Sequence, residues 1–148
     1  MPHRVGALVE RPAFYPYLSA TENLLVLATA AGLSASDARA RTCELLDLVG
    51  LGTEMDRQVG HYSTGMRQRL GIAGAMIARP DLRILDDPAN GLDPQTIVDV
   101  RQLVARLKAA GLTVLLSSHL LSEVERVCDR VAILDRGGSW SSARRAIC

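Results

Sequence analysis

Apolar positions change their period along this chain, and the change divides it into two kinds of structure. Val5-Gly6-Ala7-Leu8-Val9 is an apolar run of strand length that ends at Glu10. Pro12 and Pro16 then bracket a loop carrying Phe14, Tyr15 and Tyr17. Ser19-Ala20-Thr21-Glu22 has the spacing of a capping box, in which a hydroxyl and a carboxylate satisfy amides that the first helical turn leaves unpaired. Leu24, Leu25, Leu27 and Ala28 follow at helical spacing, so a helix is predicted from about Ala20. A second is predicted from about Ser36 to Val49, with Leu45, Leu46, Leu48 and Val49 as its apolar positions and Gly50-Leu51-Gly52 as its stop. Ser63 can cap a third, running to about Ala78 before Pro80.

Beyond Pro80 the apolar runs shorten and alternate with helical stretches. Strands are predicted at Leu82–Leu85, Thr113–Leu116 and Val131–Leu134, and helices at Pro94–Ala110, ended by Gly111, and at Leu121–Val127. Strands separated by helices of this length imply an α/β fold, a parallel sheet with crossover helices, whose chemistry gathers at the carboxyl ends of the strands. Asp86, Asp87 and His119 all fall there. The predicted organisation is one domain over residues 1–137, with a helical subdomain at about 19–78. From Gly138 to Cys148 the strand pattern is lost, and this divergent tail is expected to be out-of-frame translation.

Composition narrows the class. The chain has 148 residues, 48% hydrophobic and 22% charged, which fits a globular soluble domain. A formal net charge of +1 with interspersed signs gives no electrostatic footprint for nucleic acid or anionic lipid. Cys43, Cys128 and Cys148 are an odd set without paired spacing, which argues against a disulfide framework or zinc site and fits a reducing cytoplasm. The longest apolar stretch, Leu24 to Leu33, is shorter than the roughly 20 residues a membrane span needs. Met1-Pro2-His3-Arg4 leads into a strand-like run, not into the apolar core of a secretory signal, so a soluble chain is expected.

Four spaced segments carry candidate chemistry. Leu82-Arg83-Ile84-Leu85 delivers Asp86 and Asp87 at the end of a strand, although Arg83 interrupts the apolar run. By itself, Asp-Asp-Pro reads as a turn. Tyr62-Ser63-Thr64-Gly65-Met66-Arg67-Gln68-Arg69 opens a helix with amides and a hydroxyl at its positive end, a place that suits an anion and equally an ordinary capped helix. Asn90-Gly91-Leu92-Asp93-Pro94 is a turn into a helix. Ser117-Ser118-His119 closes a strand, where a lone histidine is by default structural.

In this order and spacing, the four segments resemble the ATP-binding subunit of ABC transporters, from just before its Q-loop to just after its switch histidine. The resemblance spans about Val5 to Gly137 and implies part of a P-loop NTPase domain of the ABC type. It implies that Asp86 is the Walker B carboxylate on the Mg2+ side and that Asp87 stands at the position of the catalytic glutamate. Asp is one methylene shorter than Glu, so its reach to an attacking water is in question. His119 resembles the switch histidine at the γ-phosphate. Ser63, Thr64, Gly65, Met66 and Gln68 resemble the signature motif, with Thr64 and Met66 in place of the commoner Gly and Gln. In the family that motif contacts nucleotide bound on the opposite subunit, and the resemblance implies that the turn Asn90, Gly91, Leu92 and Asp93 is cofactor-binding as well. Glu10 sits where the Q-loop glutamine would be, facing metal or water, and reads equally as a surface glutamate closing a strand.

The implied cofactors are ATP and Mg2+, and the implied activity is ATP hydrolysis energising transport. Implied partners are a membrane-spanning permease subunit, facing the Phe14, Tyr15 and Tyr17 loop, and a second nucleotide-binding subunit in a head-to-tail dimer, with no nucleic acid. The implied location is cytoplasmic, peripheral to the inner face of the cell membrane. The loop from Glu10 to Ser19 resembles the drug and antibiotic-peptide export branch. No G-x-x-x-x-G-K-[ST] phosphate loop occurs in the 148 residues, so a fragment inactive alone is expected. Two other readings stand beside this one. A non-catalytic fragment could bind a partner through Ala20 to Ala78, and a DNA-binding module could use the basic helix Met66 to Arg79.

Overall fold

The first four helices begin where a short polar side chain can close the opening turn. The computed structural model describes residues 5–9, 12–135 and 138–144. Helix α1 (Ala20–Ala30) has the full capping box, with Ser19 Oγ accepting from the Glu22 amide at 3.2 Å and the Glu22 carboxylate accepting from the Ser19 amide at 2.7 Å. Ser34, not Ser36, caps α2 (Ala35–Leu48), accepting from the Asp37 amide at 3.1 Å. Ser63 caps α3 (Thr64–Ala75) and Asp93 caps α4 (Pro94–Ala109) in the same way. Helix α5 (Leu121–Val127) has no side-chain cap. Single 3-10 turns at Gly52–Glu54 and Val59–His61 link α2 to α3.

Strands β1 (Val5–Leu8), β2 (Leu82–Asp86) and β3 (Thr113–Ser117) form a parallel sheet in that order. The helices α1 to α3 cross from β1 to β2, and α4 crosses from β2 to β3. The register pairs Leu8 with Leu85, Leu85 with Leu116 and Asp86 with Ser117. This pairing puts the ends of β2 and β3 side by side. Leu24, Leu45, Leu46, Leu70 and Ile72 are fully buried where α1, α2 and α3 meet, and Leu85 of β2 and Leu103 and Leu107 of α4 are buried in the same core. Each such side chain contributes roughly 1.5–3 kcal/mol of transfer free energy. Gly6 lets β1 run against the end of α3, since a β-carbon there would overlap the Ala75 carbonyl.

Three sequence expectations are corrected here. Strand β4 (Arg130–Asp135) does not join the parallel sheet; it pairs antiparallel with β5 (Gly138–Arg144), forming a separate two-stranded sheet. A strand therefore occupies residues that were expected to lose strand pattern. The sequence Gly-Ser-Trp-Ser-Ser-Ala-Arg carries no regular hydrophobic alternation, but a neighbour adjacent in sequence supplies the backbone ladder. Helix α3 also stops at Ala75, before the expected Ala78. Turns follow it through Met76 to Ala78, and Arg79 takes φ 51° directly before Pro80.

Two buried polar residues explain local order that the apolar pattern does not. Asn23, only 2% exposed, accepts from the Tyr15 amide at 2.9 Å and donates to the Tyr15 and Ser19 carbonyls at 3.0 and 2.9 Å. One carboxamide thus folds the loop of Phe14, Tyr15 and Tyr17 back onto α1. Arg83 lies in the centre of the sheet at 6% exposure, donating from Nη1 to the Asp81 carbonyl while its Nε has no partner among the described residues. Loss of hydration, reinforced by nearby Arg41, lowers its pKa.

Candidate functional site

Residues at the carboxyl ends of β2 and β3 converge on one hydrogen-bonded group. The Ser117 hydroxyl donates to Asp86 Oδ1 and accepts from the Asp87 amide at 2.9 Å. The Asp87 amide also reaches the Ser117 carbonyl at 3.1 Å. Asp87 sits at φ 42°, in the left-handed region that costs a non-glycine residue free energy, and these bonds from β3 hold it there. His119 Nδ1 lies 2.7 Å from Asp87 Oδ2, with the imidazole 60% exposed and Asp87 at 26%. The other carboxylate oxygen, Asp87 Oδ1, is buried with no hydrogen-bond partner among the described residues.

The arrangement has a clear chemical capacity. Asp86 offers a carboxylate whose orientation Ser117 restrains, and Asp87 offers a base whose proton His119 can share or stabilise. One carboxylate with oxygens of phosphate and water is the usual Mg2+ environment, so Asp86 fits such a metal. Among the described residues, no cluster of three or more His, Cys, Asp or Glu side chains forms a protein-only cage. The orphaned Asp87 Oδ1 suits a hydrogen bond from a water or substrate hydroxyl.

The signature-like segment stands on a different element. Ser63 Oγ accepts from the Met66 amide at 3.2 Å, which uses one of the hydroxyl's two lone pairs on the cap, and its proton has no acceptor among the described residues. Thr64 is exposed, Met66 half-buried, and Gly65 buried against Thr96 of α4. Gln68, expected to face nucleotide, is only 8% exposed. Arg67 donates to the Tyr62 carbonyl, and Arg69 to those of Val49 and Gly50. In the turn before α4, the Asn90 amide bonds the Asp87 carbonyl at 3.0 Å, Gly91 takes φ 69°, and Leu92 packs on the core. Asp93 is held by Thr96 through both carboxylate oxygens, and these bonds keep its carboxyl below the usual carboxylate pKa.

Most of the expected residues fall into two groups. The structure joins Asp86, Asp87 and His119, and separately joins Gly65 to the Asp93 turn. Glu10 lies outside the described residues. Sequence reasoning gave no role to Ser117 or Thr96. For Ser117 the available signal was register: it pairs directly with Asp86. Of the aromatic loop, Phe14 packs on the core, while Tyr15 and Tyr17 are exposed with ring centroids 5.9 Å apart.

Comparison with known proteins gives a consistent picture. A family model described as ABC transporter matches residues 1–90. The bacitracin transport ATP-binding protein BcrA of Bacillus licheniformis is 46% identical over 135 residues, covering 90% of this chain and 43% of its own length. The lantibiotic transport ATP-binding protein SrtF of Streptococcus pyogenes is 42% identical over 134 residues, 90% of this chain and 57% of its own. The chain thus spans about half the length of the curated relatives it matches. Among solved structures, an ATP-binding subunit of an ABC transporter superposes with a TM-score of 0.77 at 33% identity, covering 95% of this chain and 59% of that one. A dimeric ATP-binding cassette in a post-hydrolysis state with ADP and Pi gives 0.81 at 23% identity, covering 99% and 65%, a likeness of fold.

Proposed function

This chain belongs to the ABC transporter family as part of its ATP-binding domain, and we propose that it supplies the hydrolytic and signature elements of an ATPase that drives an exporter. Support comes first from the 2.7 Å pair of His119 and Asp87 beside Asp86, three polar side chains brought together from two strand ends. ATP is the substrate. Mg2+, when bound, would neutralise charge on the transferring phosphoryl group. Asp86 would hold that metal, Asp87 would orient and deprotonate the attacking water, and His119 would fix Asp87 and touch the γ-phosphate. Glu10 would contribute to metal or water.

Ser63, Thr64, Gly65 and Met66, with Asn90, Gly91, Leu92 and Asp93, would face nucleotide on a second nucleotide-binding subunit in a head-to-tail dimer. A membrane-spanning permease would dock on the exposed Tyr15 and Tyr17 loop, which would put the domain at the cytoplasmic face of the cell membrane. No helix among the described residues is long and apolar enough to cross a membrane itself. The names of BcrA and SrtF favour antibiotic-peptide cargo for this chain as well.

The 148 residues contain no phosphate loop, so alone they lack the lysine and backbone amides that hold the β- and γ-phosphates. Calorimetry with Mg-ATP tests this directly. The chain alone should bind more weakly than micromolar, and the chain joined behind a relative's phosphate-loop segment should bind at micromolar Kd. A joined protein that binds no better than the chain alone would remove the reading.

A further inference from the structure

The side of Gly65 that its missing side chain leaves open is filled by this chain. Gly65 is buried, and a β-carbon built on it would overlap the Thr96 Cγ2 methyl and lie 3.1 Å from Thr96 Oγ1. Thr96 is held in turn from its other side. Its hydroxyl donates to Asp93 Oδ2 at 2.6 Å and its amide donates to Asp93 Oδ1 at 3.0 Å. A threonine has one staggered rotamer to satisfy both demands, because fixing Oγ1 on the carboxylate fixes where the methyl points. The methyl then lies against the Gly65 backbone, in the space that a side chain at position 65 would take.

We propose that Thr96 is the positioning residue that locks the Ser63–Gly65 turn to the Asp93 cap, so that the two segments move as one face. Its hydroxyl fastens one segment and its methyl fastens the other. Glycine at position 65 is required by this packing, independently of any ligand. The functional consequence rests on the role proposed above for these segments, a joint surface offered to nucleotide on a second subunit. With that role, a displacement at Asp93 on dimer contact is carried to the signature turn through a single side chain 2.6 Å away.

The test uses the 148-residue chain without nucleotide or partner, so its outcome is separate from that of the proposed function. Carbon-13 NMR follows the Asp93 carboxyl through its titration in Gly65→Ala, Thr96→Ser, Thr96→Val and the Gly65→Ala/Thr96→Ser double variant. In the parent chain the Thr96 bonds keep this carboxyl below its ordinary value of about 3.9. Gly65→Ala should push Thr96 off Asp93 and return the titration toward that value. Thr96→Ser alone should leave it depressed, and the double variant should restore the depression, because serine keeps the hydroxyl and removes the methyl. Thr96→Val should raise it with Gly65 intact. An Asp93 titration that Gly65→Ala leaves unchanged, or that the double variant fails to recover, overturns the proposal.

A second arm covers the case in which Gly65→Ala does not fold. Asp93→Ala, which frees Thr96, should speed amide exchange at Gly65 and Met66 at least threefold in the parent. In a Thr96→Ala background it should add nothing further. Equal effects in both backgrounds, or none in either, overturn the proposal equally well.

Discussion

His119 Nδ1 and Asp87 Oδ2 stand 2.7 Å apart, although 32 positions of chain separate the two residues. Neighbouring parallel strands account for this. Asp86 and Ser117 are register partners at the ends of β2 and β3, so the residues just beyond them are delivered to the same point in space. Ser117 then ties both aspartates to β3 through its hydroxyl, and His119 closes the group from the exposed side. A carboxylate held in the left-handed region by its neighbours is already placed before any substrate arrives.

The length of the Asp87 side chain is the first thing to test. In a protein joined to a phosphate-loop segment, the base role proposed for Asp87 predicts that Asp87→Glu raises ATP turnover roughly tenfold, since a base one methylene short of its water transfers protons poorly. Steady-state phosphate release is the assay. A lower or unchanged rate would take the base role from Asp87.

Arg83 should be a liability to the fold. Its Nε is buried without a partner among the described residues and its guanidinium is desolvated beside Arg41, so an uncharged side chain of similar length should be better accommodated. Arg83→Met is expected to stabilise the chain by about 1–2 kcal/mol, read as a higher urea midpoint with unchanged slope. A lower midpoint would show that the cation is satisfied in solution.

Much of the architecture was legible before any coordinates. Ser19 and Glu22 announced α1 because both halves of a capping box are local in sequence, and Pro94 announced the first turn of α4, while its cap, Asp93, went unread. Asp86, Asp87 and His119 were legible as strand-end residues. Other features depend on partners distant in the chain or on backbone atoms. Asn23 reads as an ordinary helix residue, but its carboxamide serves the carbonyls of a loop. The pairing of β5 with β4 has no hydrophobic alternation to reveal it. Arg83 breaks the pattern of a buried strand and is buried nonetheless, which no periodicity rule anticipates. The contact of Thr96 with Gly65 required the packing of α3 on α4.

Alkaline stability should depend on Tyr62. Burial, with the nearby Glu54 charge, raises its pKa, and its hydroxyl donates to the Glu54 carbonyl at 2.6 Å. The neutral phenol is therefore favoured by the folded chain, and this contribution is fully present below the unfolded pKa of about 10. Above that pH the unfolded chain binds fewer protons than the folded one, so stability falls until the folded pKa is passed. Tyr62→Phe should cost about 1 kcal/mol at pH 7 and flatten the decline above pH 10. Urea midpoints at pH 7, 9 and 10.5 check both, and parallel declines in the two proteins would exclude Tyr62 as the titrating group.

The role of His119 can be measured most directly by separating catalysis from binding in the joined protein. With the role proposed for it, His119 contacts the developing transition state, so in His119→Ala kcat should fall about 100-fold or more while the Kd for Mg-ATP changes by less than about threefold. Single-turnover phosphate release and calorimetry on the same preparation give the two numbers. A preserved kcat accompanied by a large loss of ATP affinity would contradict the assignment of the His119–Asp87 pair to hydrolysis.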